Sequence, residues 1–179
     1  MIKAYEQLKR ELKVELITIL NYWKNNCIDH EFGGFVGKIY HFNTVVPKSN
    51  KGIILNTRIL WSFSAASNHL KTTEYNDICD RAYHYLKDFF KDETHKGVYW
   101  ELDYKGTPIN KRKQIYAQAF TIYALAEYYM FSKNEEAKKW AVEIFESLEF
   151  FANDAKNMGY FEAFNEDWSP IADMRLSDK

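Results

Sequence analysis

The apolar positions of this 179-residue chain fall into five helical stretches of two alternating kinds. Residues 3–26 carry Tyr5, Leu8, Leu12, Leu16, Ile19 and Trp23 at steps of three and four, with Lys, Arg and Glu filling the rest. That pattern is a helix with one buried stripe. Residues 53–70 differ: Ile53, Ile54, Leu55, Ile59, Leu60, Trp61, Phe63, Ala65, Ala66 and Leu70 lie nearly all round the axis, and Arg58 is the charge among them. Such a helix is enclosed by neighbours. Residues 74–92 return to one stripe (Ile78, Ala82, Tyr83, Leu86, Phe89, Phe90), 113–131 are enclosed again (Ile115, Tyr116, Ala119, Phe120, Ile122, Tyr123, Leu125, Ala126, Tyr129), and 134–152 are amphipathic (Ala137, Trp140, Ala141, Ile144, Leu148, Phe151). Asn134 followed by Glu135 and Glu136 predicts a capped start with acids in the first turn.

Half-exposed and enclosed helices taking turns imply two concentric layers, an α/α toroid with outer helices at the water and inner helices lining a lumen. Three glycine-aromatic segments punctuate the order: Gly34-Phe35-Val36-Gly37, Gly97-Val98-Tyr99-Trp100 and Gly159-Tyr160-Phe161-Glu162. The intervals Gly34 to Gly97 and Gly97 to Gly159 are 63 and 62 residues. Spacing of that length marks a helical-hairpin repeat. Alternation over Val98 to Tyr104, ahead of Lys105-Gly106, predicts short strands and a turn after each outer helix. Five helices make about two and a half pairs, under half of a closed ring of this kind. The whole chain, 1–179, therefore reads as part of one barrel domain, with exposed apolar rows at its edges that favour self-association.

Composition narrows the function classes. Twenty-four basic against 25 acidic residues give a net charge of −1 with no basic stripe, which speaks against nucleic acid. Lys111-Arg112-Lys113 is the tightest basic run and reads as a solvated loop before a helix. No apolar run approaches membrane-spanning length and the first residues lack a secretory leader, so the expectation is a cytoplasmic protein. Cys27 and Cys79 form no motif and read as reduced thiols. Aromatic residues reach 17%, enough for thick helix packing and also for a cleft whose ring faces stack on sugars.

Candidate chemistry lies on the inner helices. Arg58 carries a permanent charge on an enclosed helix, so it must meet an acid such as Glu101 or Asp103, or a ligand. Gln118 follows it by one repeat and is expected to face the same way; Tyr116 fits either core or lumen. The five histidines lack metal-ligand spacing, and neither a Walker loop nor a nucleophile elbow is present. Acids cluster in the hairpins (Glu101, Asp103, Glu162, Glu166, Asp167), a pattern of solvated surface that would also allow a glycoside hydrolase with paired carboxylates.

Three motifs in order carry a resemblance: Asn56-Thr57-Arg58-Ile59-Leu60-Trp61-Ser62-Phe63-Ser64-Ala65-Ala66, Lys113-Gln114-Ile115-Tyr116-Ala117-Gln118-Ala119-Phe120, and Gly159-Tyr160-Phe161-Glu162-Ala163-Phe164. Together they resemble the N-acylglucosamine 2-epimerase superfamily, and within it are similar to the cellobiose 2-epimerases. The resemblance runs from the first helix to Lys179. It implies an (α/α)6 barrel, no metal or redox cofactor, and a reducing-end sugar such as a β-1,4-linked disaccharide as partner. It matches Arg58 to an arginine on the reacting sugar and Tyr116 to a tyrosine of the same cleft, with Asn56 and Gln118 as further substrate-binding candidates. The implied chemistry is removal and return of the C2 proton through an enediolate. The family's histidine pair belongs to later helices, its Asn-Thr-His-Leu-His motif starting past Asp173-Met174-Arg175-Leu176-Ser177-Asp178-Lys179. None of the five histidines here matches it, so the resemblance implies that 1–179 is the N-terminal part of such an enzyme, by truncation, a disrupted gene or a split protein, and the isolated chain is expected to be inactive. The non-enzymatic alternative is an oligomerising fragment.

Overall fold

The protein is described here by a computed structural model covering residues 2–172, with side chains from Ala4 onward; segment 173–179 lies outside the described residues. Five α-helices follow one another: α1 (Ile2–Asn26), α2 (Ile53–Leu70), α3 (Asn76–Tyr85), α4 (Ile115–Ser132) and α5 (Glu135–Phe151). Between them run two- and three-residue strands: β1 (Ile39–Tyr40), β2 (Thr44–Val45), β3 (Lys51–Gly52), β4 (Glu101–Leu102), β5 (Pro108–Asn110), β6 (Lys113–Gln114), β7 (Asn153–Asp154), β8 (Gly159–Tyr160) and β9 (Ala163–Phe164). The stretch 74–92, read as one helix, is α3 followed by a π-helical turn over Leu86–Phe90. The stretch 113–131 starts later than its apolar pattern, because Lys113 and Gln114 pair with β9 before the helix begins.

Inner helices α2 and α4 lie side by side. Trp61 stacks on Tyr123 with centroids 5.0 Å apart, and Asn68 Nδ2 donates to Glu127 Oε1 at 2.6 Å. Each inner helix ends the same way, on a lysine in the left-handed region, Lys71 (φ 55°) and Lys133 (φ 58°). Outer helix α3 closes against α4 through stacked Tyr83 and Tyr128 (4.8 Å). The Asn134 cap forms: its Oδ1 accepts from the N–H groups of Glu136 and Ala137 at 2.9 and 3.0 Å. Leu20, Phe35, Ile53, Leu60, Phe63, Leu86, Val98 and Leu125 lead one continuous core. Cys27 and Cys79 are buried free thiols, Cys79 within this core, and burial pushes both up to about 11.

The stripe on α1 departs from its expected burial. Leu16, Leu20 and Trp23 pack on the core, but Tyr5, Leu8, Leu12 and Ile19 are exposed, Tyr5 by 64%. Along the first three turns, His69 and Leu70 at the end of α2 share a cleft with Tyr5, Leu8 and Leu12 without burying them. Tyr116 and Tyr123 on α4 are exposed on the face that meets Arg58 and Trp61 of α2, and Val142, Phe145 and Phe150 are exposed on α5, the last helix of the arc. The arc therefore presents apolar rows at both edges. No helix is long and apolar enough to cross a membrane among the described residues.

Two ion pairs fasten the hairpins to the inner helices, and the repeat relates them. Asp29 Oδ1 accepts from the N–H groups of Glu31 and Phe32, while its Oδ2 meets Lys51 Nζ at 2.7 Å. Asp92 Oδ1 accepts from Thr94 and His95, while its Oδ2 meets Lys113 Nζ at 2.5 Å. Each lysine sits two residues ahead of an inner helix, in strand register Lys51↔Leu102 and Lys113↔Phe164. Lys113 is thus not in a solvated loop; its side chain and that of Asp92 are both 0% exposed. Burial alone would raise the Asp92 carboxyl, but the Lys113 ammonium and two backbone N–H groups outweigh it and hold the group below the usual carboxylate range.

Removing one partner leaves the other buried and unpaired. Lys113→Met should therefore destabilise the chain by about 3–5 kcal/mol in urea unfolding followed by circular dichroism. Lys51→Met should cost less, because Asp29 keeps some access to water. The lowered Asp92 value sets the pH response. The wild-type pair contributes fully above the unfolded carboxylate value of about 4 and fades as pH falls through the lower folded value. In Lys113→Met, burial instead raises Asp92, which neutralises on acidification. The deficit of the variant should therefore shrink as pH is taken from 7 toward about 4; a constant deficit would contradict the assignment.

Candidate active-site face of the inner helices

Arg58 is exposed, in contrast to the enclosed position its helix predicts. The reason is its place on α2: it lies on the open side, with Ser62 and His69 exposed below it. Glu101 and Asp103 are not its partners. Arg58 Nη2 donates to Tyr116 Oη at 3.2 Å, and the guanidinium carbon stands 5.1 Å from the Phe120 ring centroid. Tyr116, 42% exposed, also leans on Phe120 (4.7 Å, 52° between planes). Facing turns of two parallel inner helices thus bring a guanidinium, a phenol and an aromatic face together. The charge is oriented by neutral groups.

A cleft of about 440 Å³ opens beside Arg58, between α1 and α2. It is lined by Ile19, Trp23, Leu55, Ile59 and Phe63, with Arg58 and Ser62 as its polar contributors. An apolar cleft of that size holding a few polar groups has the character of a small-molecule site.

The other two candidates sit elsewhere. Gln118 does not share the face of Arg58. It is buried, and its amide is wholly engaged with the second hairpin: Oε1 accepts from Val98 N–H at 2.8 Å and Nε2 donates to Val98 O at 2.9 Å. Asn56 is also buried, donating from Nδ2 to Gly52 O at 2.9 Å, with Oδ1 enclosed and without a hydrogen-bond partner. Phe120 belongs to the site and was absent from the candidates; its step of four from Tyr116 was the available signal.

The hairpin acids divide as well. Asp103 Oδ1 accepts from Lys105 and Thr107 N–H in its own turn, and Glu162 Oε1 accepts from Gln114 Nε2 at 3.4 Å. Asp92, His95 and Glu166 gather with ligand atoms within 4.8 Å of one another. Lys113 on Asp92 and Lys111 on Glu166 (3.1 Å) already supply cations there, so the cluster is an ion-pair network joining two hairpins.

Comparison with known proteins places the chain in a family. Residues 33–178 match the family model described as N-acylglucosamine 2-epimerase (GlcNAc 2-epimerase). The chain is 45% identical over 175 residues to a cellobiose 2-epimerase of Bacteroides fragilis, covering 97% of this chain and 45% of that protein. It is 36% identical over 172 residues to a cellobiose 2-epimerase of Dictyoglomus turgidum, covering 93% and 43%. The structure of cellobiose 2-epimerase from Bacillus thermoamylovorans superposes with a TM-score of 0.91 at 37% identity, over 97% of this chain and 45% of that one. The chain thus spans under half the length of the relatives it matches.

Exposure and burial predict opposite costs. Arg58→Gln should change stability by about 1 kcal/mol or less, since an exposed cation–π contact and one exposed hydrogen bond are lost. Gln118→Leu should cost about 1–3 kcal/mol for each Val98 backbone group left unpaired. Thermal unfolding of the two variants tests the division, and an Arg58 variant as damaged as the Gln118 one would overturn it.

Proposed function

This chain belongs to the N-acylglucosamine 2-epimerase family, and we propose that it forms the Arg58 wall of a sugar 2-epimerase site for the reducing end of a β-1,4-linked disaccharide. The observation that carries this reading is the Arg58–Tyr116–Phe120 arrangement on the open inner-helix face. The ring-opened substrate has an aldehyde at C1 and a removable proton at C2. A base takes that proton, and the electron pair moves onto the C1 oxygen to give an enediolate. An acid then returns a proton to the opposite face of C2. The developing negative oxygen needs fixed donors in a water-poor cleft. Arg58 offers several N–H groups and a charge that survives desolvation. Tyr116 Oη accepts a hydrogen bond from it, and the Phe120 ring lies against the guanidinium.

Proton transfer itself belongs to groups with values near neutrality, for which histidine is suited. Of the five histidines here, only His69 lies on the exposed side of an inner helix, at the far end of α2 from Arg58. The resemblance assigns the catalytic histidine pair to later helices, so the chain by itself supplies substrate contact and oxyanion stabilisation without the acid–base pair. A glycosidase would need two carboxylates across the cleft. Neither inner helix exposes one: Arg58, Ser62 and His69 are the exposed polar residues of α2, and α4 exposes Tyr116, Ala119, Tyr123, Ala126 and Met130.

Proton NMR in deuterated water tests the reading through loss of the C2-proton signal of cellobiose. The purified chain alone should show no exchange above the protein-free control. In a complete barrel carrying this segment, Arg58→Lys should lower turnover by about a hundredfold or more, as loss of an oxyanion donor does. Exchange by the chain alone, or an Arg58→Lys barrel with undiminished turnover, would refute it.

A further inference from the structure

Outer helix α5 repeats α3 at an interval of 62 residues: Leu148 is buried as Leu86 is, and Phe151 stands at the position of Phe89. The later turns repeat too. Asp103 N–H donates to Thr107 O and Gly106 N–H to Asp103 O; Asn165 N–H donates to Ser169 O and Trp168 N–H to Asn165 O. Trp168 is therefore the counterpart of Gly106, and both take positive φ, 65° and 99°. A bulky residue in that region is an outlier that costs about 1–3 kcal/mol. The two repeats also cover their hairpin glycine differently. In the first, the Tyr85 ring lies over Gly34, where an added Cβ would stand 2.6 Å from it. The matching position of α5 is Ser147, which has no ring to offer. Trp168 covers the second hairpin instead. Its indole lies 3.2 Å from a Cβ added at Gly97, stacks on Phe151 with centroids 4.9 Å apart, and donates from Nε1 to His95 O at 2.7 Å.

Moving the ring from the helix to the turn leaves a cleft of about 530 Å³ between α5 and the turn of the second hairpin. That volume is in the range of small-molecule sites. Phe150, 81% exposed, stands at 88° to Phe151 and makes an apolar corner with it. Around the corner, Glu146 and Lys96 are exposed and make no hydrogen bond or ion pair among the described residues, and Asp167 accepts from Ser169 through Oδ1 alone. Charges of both signs oppose a charged ligand of either sign. A wholly apolar ligand would strip water from the carboxylates and replace none of it. A neutral polyol with an apolar face satisfies both conditions. We propose that this cleft is a second saccharide site, on the outer helix and apart from the Arg58 face, for a neutral oligosaccharide of β-1,4-linked glucose. Every ring substituent of β-glucose is equatorial, so its two faces present only C–H groups. One face lies on the Phe150–Phe151 corner, while hydroxyls at the rim donate to Glu146 and Asp167 and accept from Lys96. The site does not use Arg58, so it and the epimerase reading can fail separately.

Saturation-transfer NMR on the full 179-residue chain with cellotetraose should show contact at the axial ring protons, and a titration gives the affinity. Phe150→Ala should leave the urea midpoint unchanged, because the side chain is exposed, and weaken binding about fivefold or more. Glu146→Ala should weaken it similarly. Ser147→Tyr, which restores the side chain of the first repeat, should fill the cleft and weaken binding about tenfold or more. Phe42→Ala, exposed on the first hairpin, should have no effect. Absence of binding, or binding indifferent to both Phe150→Ala and Glu146→Ala, would overturn the proposal. So would binding lost in Arg58→Gln and kept in Phe150→Ala, which would put the sugar on the inner-helix face.

Discussion

The pairing of the acids of the first two hairpin turns, Asp29 and Asp92, with the lysines ahead of the two inner helices is the constraint on which the rest of the arc depends. A two-residue strand has too few ladder hydrogen bonds to fix its own register, and a slip by one residue would turn every side chain to the opposite face. At Lys113 such a slip would swing the ammonium away from Asp92 and leave both charges in the core. The penalty is far larger than the pairing energy of so short a strand. The charge pair therefore specifies the register that the backbone leaves open. Because Asp92 also accepts two N–H groups of its own turn, the same carboxylate closes the hairpin and anchors the helix.

From that anchor the site follows by counting. Tyr116 is three residues beyond Lys113, and Arg58 seven beyond Lys51, a difference of about one helical turn. The offset lets a long guanidinium rise from one helix to a phenol on its neighbour. Below them, the Trp61–Tyr123 stack and the Asn68–Glu127 bond keep the two axes level. The contact between Arg58 and Tyr116 is thus set at both ends, by ion pairs above and ring stacking beneath.

Helix positions and the inner–outer alternation were legible because apolar periodicity reports burial directly. What periodicity cannot report is burial by absent neighbours. The α1 stripe at Tyr5, Leu8 and Leu12 reads as core and stands exposed, since a stripe shows that a helix wants a partner, not where one is. Arg58 failed for the converse reason: an apolar surround suggested enclosure, while its own direction faces the open side. Lys113 was misread in the run Lys111-Arg112-Lys113 because composition treats the run as one, whereas only Lys113 enters β6 opposite Phe164, where its ammonium meets the buried Asp92. Gln118 and Arg58 are one repeat apart only approximately. A difference of 60 residues against a repeat near 62 places them on different sides of their helices, and Asn56 is the true counterpart of Gln118.

The partners of Arg58 bear on what it can do. Had Glu101 or Asp103 met it, the carboxylate would have neutralised the field at the site, and an oxyanion forming on a substrate would have had to compete with a permanent anion. Tyr116 and Phe120 orient the guanidinium through a hydroxyl and a ring face, neither of which carries charge. Enclosing such a cation in a finished ring is unfavourable while the cleft is empty and becomes favourable as negative charge grows on a bound oxygen. An interaction that strengthens between ground state and transition state is the kind that accelerates a reaction. Under the proposed function, neutral support of an arginine in place of a salt bridge suits enolate chemistry better than simple sugar binding, for which a paired arginine would serve as well.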